Sequence, residues 1–286
     1  MRFADARTFR ASLESRLNER ARGSGADIRR LRRRVSFERV AARLAVAEGE
    51  WVLKGGTALE FRFADRARAT RDLDVSFVDD PNIDVAIAAF EDAMADDPFG
   101  DFFEFVVTHR RLLGSTEARG AVARLRIDAR LDGRTFELLV VDLVTSEAGM
   151  PRTEWISLPG ALAFAEVETP RVPVIDLRVH WSEKLHAYLA RFDDRENTRV
   201  KDLVDLVILI DDGLDPDALL RAAVIETFVA RGEQPPGPEL ASMAEAWRVP
   251  FAAMANEVDL STTNSDDAHR VVEEFWAAAL RSEGSV

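Results

Sequence analysis

The stretch that most constrains the fold is an apolar run broken by two glycines, followed by a strand that carries alternating acids. Trp51-Val52-Leu53-Lys54 runs into Gly55-Gly56-Thr57, and Ala58-Leu59-Glu60-Phe61 are good helix formers. Thr57 is read as the N-cap of a helix over 57–64. Glycines at a helix start let backbone N–H groups approach an anion, and the helix dipole favours negative charge there. Asp72 lies fifteen residues beyond Thr57, and Leu73, Val75 and Phe77 alternate with Asp72, Asp74 and Ser76. That is strand period over 71–78, so both aspartates project from one face. Gly-Gly-Thr alone is a common turn, and Asp-x-Asp alone is common on a solvated edge. A phosphate cradle followed by two same-face carboxylates suits a nucleoside triphosphate with Mg²⁺ or Mn²⁺, since hard cations prefer carboxylate and phosphate oxygens.

The order and spacing of Lys54-Gly55-Gly56-Thr57-Ala58-Leu59 and Arg68-x-Thr70-x-Asp72-x-Asp74 resemble the core motif of the DNA polymerase β-like nucleotidyltransferase superfamily. More narrowly they look like the AbiEii/AbiGii (MenT-like) nucleotidyltransferase toxins. Gly-Gly-Thr replaces the Gly-Ser usual in the superfamily and is what the narrower family carries. The resemblance implies nucleotide binding by Lys54, Gly55, Gly56, Thr57, Arg68 and Arg71, with metal on Asp72 and Asp74. It also implies a third metal carboxylate on a neighbouring strand, for which Asp142 is the candidate and Asp128 the fallback. Thr70 reads as a turn residue, with phosphorylation there as a regulatory hypothesis, because it would place about two negative charges beside the metal carboxylates.

A second constellation lies downstream. Lys184 sits mid-helix in Trp181-Ser182-Glu183-Lys184-Leu185-His186, and Lys201-Asp202-Leu203-Val204-Asp205-Leu206 follows. Asp202 and Asp205 are i, i+3 and share a helix face. Two antiparallel helices would present Lys184 and an aspartate to one cleft, whereas an ordinary helix pair would carry a surface salt bridge worth under about 1 kcal/mol. AbiEii-like proteins carry the same Lys-Leu helix followed by an Asp-x-x-Asp-Leu helix. The resemblance thus gives Lys184 a phosphate-charge role and leaves Asp202 and Asp205 as alternative partners for the acceptor. His186 reads as a helix-surface residue.

The lysines add weight, because the chain has only three, Lys54, Lys184 and Lys201, against 35 arginines. Where Arg is the default cation, a retained Lys points to a need for a compact charge. The net charge of −13 argues against a surface coated by nucleic acid. The Arg-rich run Arg29, Arg30, Arg32, Arg33 and Arg34 is the best candidate for a local RNA contact. With no cysteine, no disulfide or thiol chemistry is expected. No apolar run is long enough to span a membrane, and the N-terminus has no hydrophobic signal core, so a cytoplasmic protein is expected.

The remaining chain reads as helices over 5–22, 26–48 and 83–95, then strands over 102–108, 121–131 and 134–144 with an Asp132-Gly133 hairpin turn. Residues 145–170 read as mixed loop, and helices are expected over 176–192, 198–212, 215–231, 237–247 and 266–282. The expected fold is α/β (α+β): a nucleotidyltransferase domain with a mixed, mainly antiparallel sheet over 1–170, and a helical domain over 171–286 that closes the active-site cleft. The resemblance implies a toxin of a toxin–antitoxin or abortive-infection system that transfers NMP from an NTP to an acceptor hydroxyl. A tRNA 3′ end is the first acceptor, and a cognate antitoxin the expected partner. The alternatives are a protein or small-molecule acceptor, or a nucleotide-binding interaction module without chemistry.

Overall fold

Helix caps set the first two elements. The computed structural model describes residues 1–116, 120–145, 151–191 and 197–282. Helices α1 (Ala6–Ser24) and α2 (Ile28–Val46) each start behind an aspartate that accepts a first-turn N–H, Asp5 from Thr8 and Asp27 from Arg29. Strand β1 (Trp51–Lys54) feeds α3 (Gly55–Phe63), and β2 (Leu73–Phe77) is followed by α4 (Ile83–Ala95). Then come β3 (Phe103–Thr116), β4 (Gly120–Leu131), β5 (Arg134–Thr145), β6 (Thr153–Ser157) and β7 (Arg171–Ile175). The helices α5 (Leu177–Leu189), α6 (Val200–Asp211), α7 (Ala218–Val229), α8 (Arg248–Glu257) and α9 (Ser265–Arg281) complete the described chain.

Among the described residues, seven strands form one sheet in the order β3-β4-β5-β2-β1-β7-β6. The β3–β4, β4–β5 and β1–β2 pairs are antiparallel, while β2–β5 and β1–β7 are parallel. This is the mixed sheet expected from the sequence. Period-2 alternation assigns its faces. Leu125 and Ile127 of β4 and Leu139, Val141 and Leu143 of β5 are buried in one core with Phe9, Phe37 and Phe90 of the helices. Each such side chain contributes roughly 1.5–3 kcal/mol of burial. The other face of the same strands carries Arg124 and Asp142, which are half-buried.

The chain divides into two compact units, residues 1–62 with 69–174, and residues 63–68 with 175–286. The first unit holds a buried charge cluster under its sheet. Arg39 donates to Asp101 at 2.5 Å and Arg43 donates to both Asp101 oxygens at 3.0 and 2.8 Å, with all three side chains fully buried. Burial works against the Asp101 charge, and the Arg43 bonds outweigh it, so its pKa falls below the usual carboxylate range. The second unit packs its helices around Trp181, Leu203, Val207, Phe251 and Trp276, all fully buried.

Several expectations need correction. Thr57 is the third residue of α3 and not its N-cap, because the helix starts directly at Gly55. Strand β3 runs on to Thr116, past the expected end at 108, since its outer residues pair along β4. The expected loop over 145–170 contains β6, and the run into the helices at 171–175 is β7. The expected helix over 237–247 is absent apart from one turn at Glu245–Trp247. There the Leu240 N–H bonds the Glu273 side chain and serves no helix ladder. Helix α8 follows instead, and Pro250 is tolerated as its third residue, where no intrahelical partner exists for the missing N–H. His186 is buried, with Nε2 3.1 Å from Glu233 Oε1 and its ring edge-on to Phe228, because its helix face turns inward. Residues 146–150 of the expected loop and Phe192 at the end of the expected 176–192 helix lie outside the described residues.

Candidate active site

In the first unit, register decides which side chains meet. Lys54 pairs with Asp74 across β1–β2, Asp74 pairs with Asp142 across β2–β5, Asp142 pairs with Arg124 across β5–β4, and Arg124 pairs with Arg111 across β4–β3. Paired residues share a sheet face, so one row of five charged side chains crosses five strands. Asp72 stands just before β2 and returns to the same side two residues from Asp74.

Gly55 closes the row at the β1–α3 junction. It takes φ 60°, a left-handed conformation that L side chains rarely adopt. A Cβ there would lie 1.8 Å from Asp74 Oδ2 and 2.6 Å from its Cγ. The Asp74 carboxylate therefore lies directly against the glycine backbone that opens α3. Thr57 is buried and donates its hydroxyl to the Asp72 carbonyl at 2.8 Å, which ties the first turn of α3 to the start of β2. Thr70 is also buried, and its hydroxyl donates to the same carbonyl at 3.1 Å and to Asp72 Oδ1 at 3.3 Å. This is the turn-stabilising role read from the sequence. Modification of that hydroxyl would first require the turn to open. Arg71 is exposed.

Arg124 had no part in the sequence reading. Its Nε and Nη2 donate to the two oxygens of Asp142 at 2.7 and 2.6 Å, a bidentate grip. The bonds to Asp142 raise the guanidinium pKa first, burial opposes them, and the charges of Asp142, Asp72 and Asp74 raise it further. One cation thus senses all three carboxylates. Asp128, the fallback third carboxylate, is excluded. It pairs with Leu138 in the ladder, four positions from Asp142 along β5, and its side chain is bonded by Arg130.

The α2 arginines are largely turned to structural use. Arg30 pairs with Glu60 at 3.5 Å, Arg32 donates to Glu14 at 3.1 and 2.7 Å, and Arg33 donates to the Thr70 carbonyl at 3.0 Å. Arg29 is the exposed member of the run.

In the second unit, Lys184 of α5 is buried and bonds Asp202 at 3.0 Å and Asp205 at 2.7 Å, both on α6. Arg68 grips both oxygens of Asp205 at 2.8 Å each. The Lys184 side chain thus meets both aspartates of the Asp-x-x-Asp helix, as the shared face suggested. Arg68, expected at the nucleotide, is engaged here by a carboxylate. Burial pushes the Lys184 ammonium down, but the Asp205 and Asp202 charges outweigh it and hold its pKa above the ordinary lysine value. Burial likewise opposes the Asp205 charge, and Lys184 and Arg68 overcome it, leaving that carboxyl well below the usual range. Elsewhere in this unit, a cavity of about 450 Å³ lies between Tyr188, Asn197, Met243 and Trp247. Sequence reasoning gave no sign of it.

Among the described residues, no three His, Cys, Asp or Glu side chains are grouped to hold a metal ion. Asp72 and Asp74 remain a fitting pair. Mg²⁺ is commonly held by one or two carboxylates, with substrate phosphates and water completing its shell. An ion held by Asp74 would lie beside the start of α3, because that carboxylate lies against the Gly55 backbone.

A mixed sheet whose β1–α3 glycine turn faces an Asp-x-Asp strand is the architecture of a nucleotidyltransferase. MenT4, a nucleotidyltransferase toxin from Mycobacterium tuberculosis H37Rv, superposes with a TM-score of 0.58 at 18% identity, covering 95% of this chain and 90% of that one. At that identity the likeness speaks to the fold. A candidate nucleotidyltransferase from H. pylori matches more loosely, with TM-score 0.43 and 15% identity over 86% of this chain and 92% of that one. No curated protein matches the sequence. Residues 39–280 match the family described as nucleotidyl transferase AbiEii toxin, type IV TA system, and the chain belongs to that family. No helix among the described residues is long and apolar enough to cross a membrane.

Proposed function

We propose that this protein transfers a nucleoside monophosphate from an NTP to an RNA hydroxyl, with a tRNA 3′ end as acceptor. Blocked translation is the toxic outcome, and a cognate antitoxin is the partner that restrains it. The observation that carries the reading is the seating of Asp74 against Gly55 at the mouth of α3. It juxtaposes a carboxylate that can hold a divalent ion with backbone that can hold phosphate.

In this reading Lys54, Gly55, Gly56 and Thr57 bind the triphosphate, and Asp72 and Asp74 hold Mg²⁺ or Mn²⁺. The ion supplies charge stabilisation at the phosphorus under attack. The chain's own part is mainly positioning, as in other phosphoryl transfers. Thr57 and Thr70 fix the Asp72 backbone, and the β1–β2–β5 ladder fixes Asp74. The resemblance assigns Arg71, exposed in the loop before β2, to phosphate oxygens. The resemblance assigns Lys184 a phosphate-charge role, and within the helical unit Asp202 and Asp205 set its position while Arg68 anchors that group through Asp205. The resemblance adds Asp142 as a third ligand, and its carboxylate is engaged by Arg124.

The test is incubation of the protein with each labelled NTP, Mg²⁺ and total RNA, alongside Asp72→Ala and Lys184→Ala. Label entering a small RNA with wild type alone supports the reading. Label entering protein, or equal transfer by Asp72→Ala, overturns it.

A further inference from the structure

Five charged side chains share the row that crosses the sheet, and one cation in it grips a carboxylate with two bonds. That cation is Arg124, and it takes both oxygens of Asp142. An ion bridging Asp74 and Asp142 would have to share the Asp142 oxygens with this guanidinium fork, whose two charge-assisted bonds already neutralise that acid. The Arg124 side chain is 42% exposed, while that of Asp142 is 13% exposed. The guanidinium is thus the more solvent-exposed partner of the pair.

We infer that Arg124 stands in for a second divalent ion: the site takes a single ion, on Asp72 and Asp74, and Asp142 anchors Arg124 instead of ligating metal. This rests on the transferase reading above. It departs from the two-ion arrangement that three converging carboxylates would make, in which paired ions clamp the attacking and leaving oxygens. A planar fork with fixed N–H directions suits the task, since it locks onto a carboxylate bidentately and still presents positive charge outward. Arg124 is a positioning residue in this account, and it acts by holding the charge of Asp142.

The full chain with one equivalent of a non-hydrolysable NTP analogue is titrated with Mn²⁺, and bound ion is counted by electron paramagnetic resonance. One Mn²⁺ per chain is expected for wild type and for Asp142→Asn. Two are expected for Arg124→Gln, whose change lies on a partly exposed side chain and should leave the melting temperature within about 2 °C. Two ions on wild type, loss of the ion from Asp142→Asn, or one ion on Arg124→Gln would each overturn the inference while leaving the transferase reading intact. Wild type that holds its ion no more tightly than the free analogue does, or an Asp74→Asn variant that holds it as tightly as wild type, would sink both.

Discussion

Replacing Gly55 by alanine tests the seat of Asp74 directly. Two penalties arise, and they are separable. The first is backbone: φ 60° costs a residue with a Cβ roughly 1–2 kcal/mol. For a chain of this size that is a fall in melting temperature of about 2–8 °C. The second is steric. The new methyl would lie 1.8 Å from Asp74 Oδ2, where ordinary contact begins at 3.4 Å. The carboxylate must therefore retreat by about 1.5 Å, and a misplacement of about 1 Å at a reacting centre costs on the order of 100-fold in rate. Gly133 supplies the control, because it has φ 64° at the hairpin tip and nothing within 4 Å of its would-be Cβ. Gly133→Ala should lose the same few degrees and keep its nucleotidyl transfer. Gly55→Ala should melt alike and transfer label about 100-fold more slowly. If Gly55→Ala kept more than a third of wild-type transfer at saturating NTP, the close packing of Asp74 on the glycine would have no functional meaning.

Other expectations follow from the buried charges. Asp205→Asn leaves Lys184 and Arg68 without their shared anion, so urea unfolding should show a loss of about 3 kcal/mol; a loss under 1 kcal/mol would mean the network is solvated. The folded pKa of Asp205 is depressed, so its contribution is present above the unfolded value of about 4 and fades as pH falls through the lower folded value. Acid titration should accordingly destabilise wild type below about pH 4 and leave Asp205→Asn flatter there, and parallel acid limbs would refute this. Asp101→Asn removes the anion between two fully buried arginines and should cost about 3–5 kcal/mol in the first unit, read by hydrogen exchange in α2. Arg29→Glu should weaken RNA binding in a salt-dependent way with little effect on stability, whereas Arg32→Glu should also lower the melting temperature through loss of Glu14; equal behaviour of the two would argue against the assignment of structural arginines.

Most of the site was legible because it is local in sequence. The Gly-Gly turn and the period-2 acids lie within one stretch, and the i, i+3 aspartates within one helix turn, so no long-range knowledge was needed. Asp142 could be named because the resemblance implies a third carboxylate on a neighbouring strand, and the parallel β2–β5 pairing sets it level with Asp74. Arg124 could not. The Asp132-Gly133 turn pairs Leu131 with Arg134 and Arg130 with Thr135, and continuing that register would set Ala123 opposite Asp142. A bulge between Ala129 and Arg130 shifts the ladder by one and brings Arg124 there instead. Nothing in the local pattern announces that extra residue. The arginines of α2 misled for a related reason. They cluster along the chain, but Arg30, Arg32 and Arg33 reach Glu60, Glu14 and the Thr70 carbonyl, partners that composition does not reveal. The missing helix at 237–247 and the unexpected α8 show the same limit, since Leu240 spends its N–H on Glu273, far along the chain.

The six residues Phe63–Arg68 belong to the helical unit although chain of the other unit flanks them on both sides. No single cut can therefore separate the halves cleanly. A fragment ending at Val174 would carry Arg66 and Arg68 stripped of Asp212 and Asp205, and its complement would hold those acids bereft of their arginines. The two units are interleaved along the chain, so any fragment meant to hold the helical half alone must also carry the short passage between the glycine turn and the paired acids.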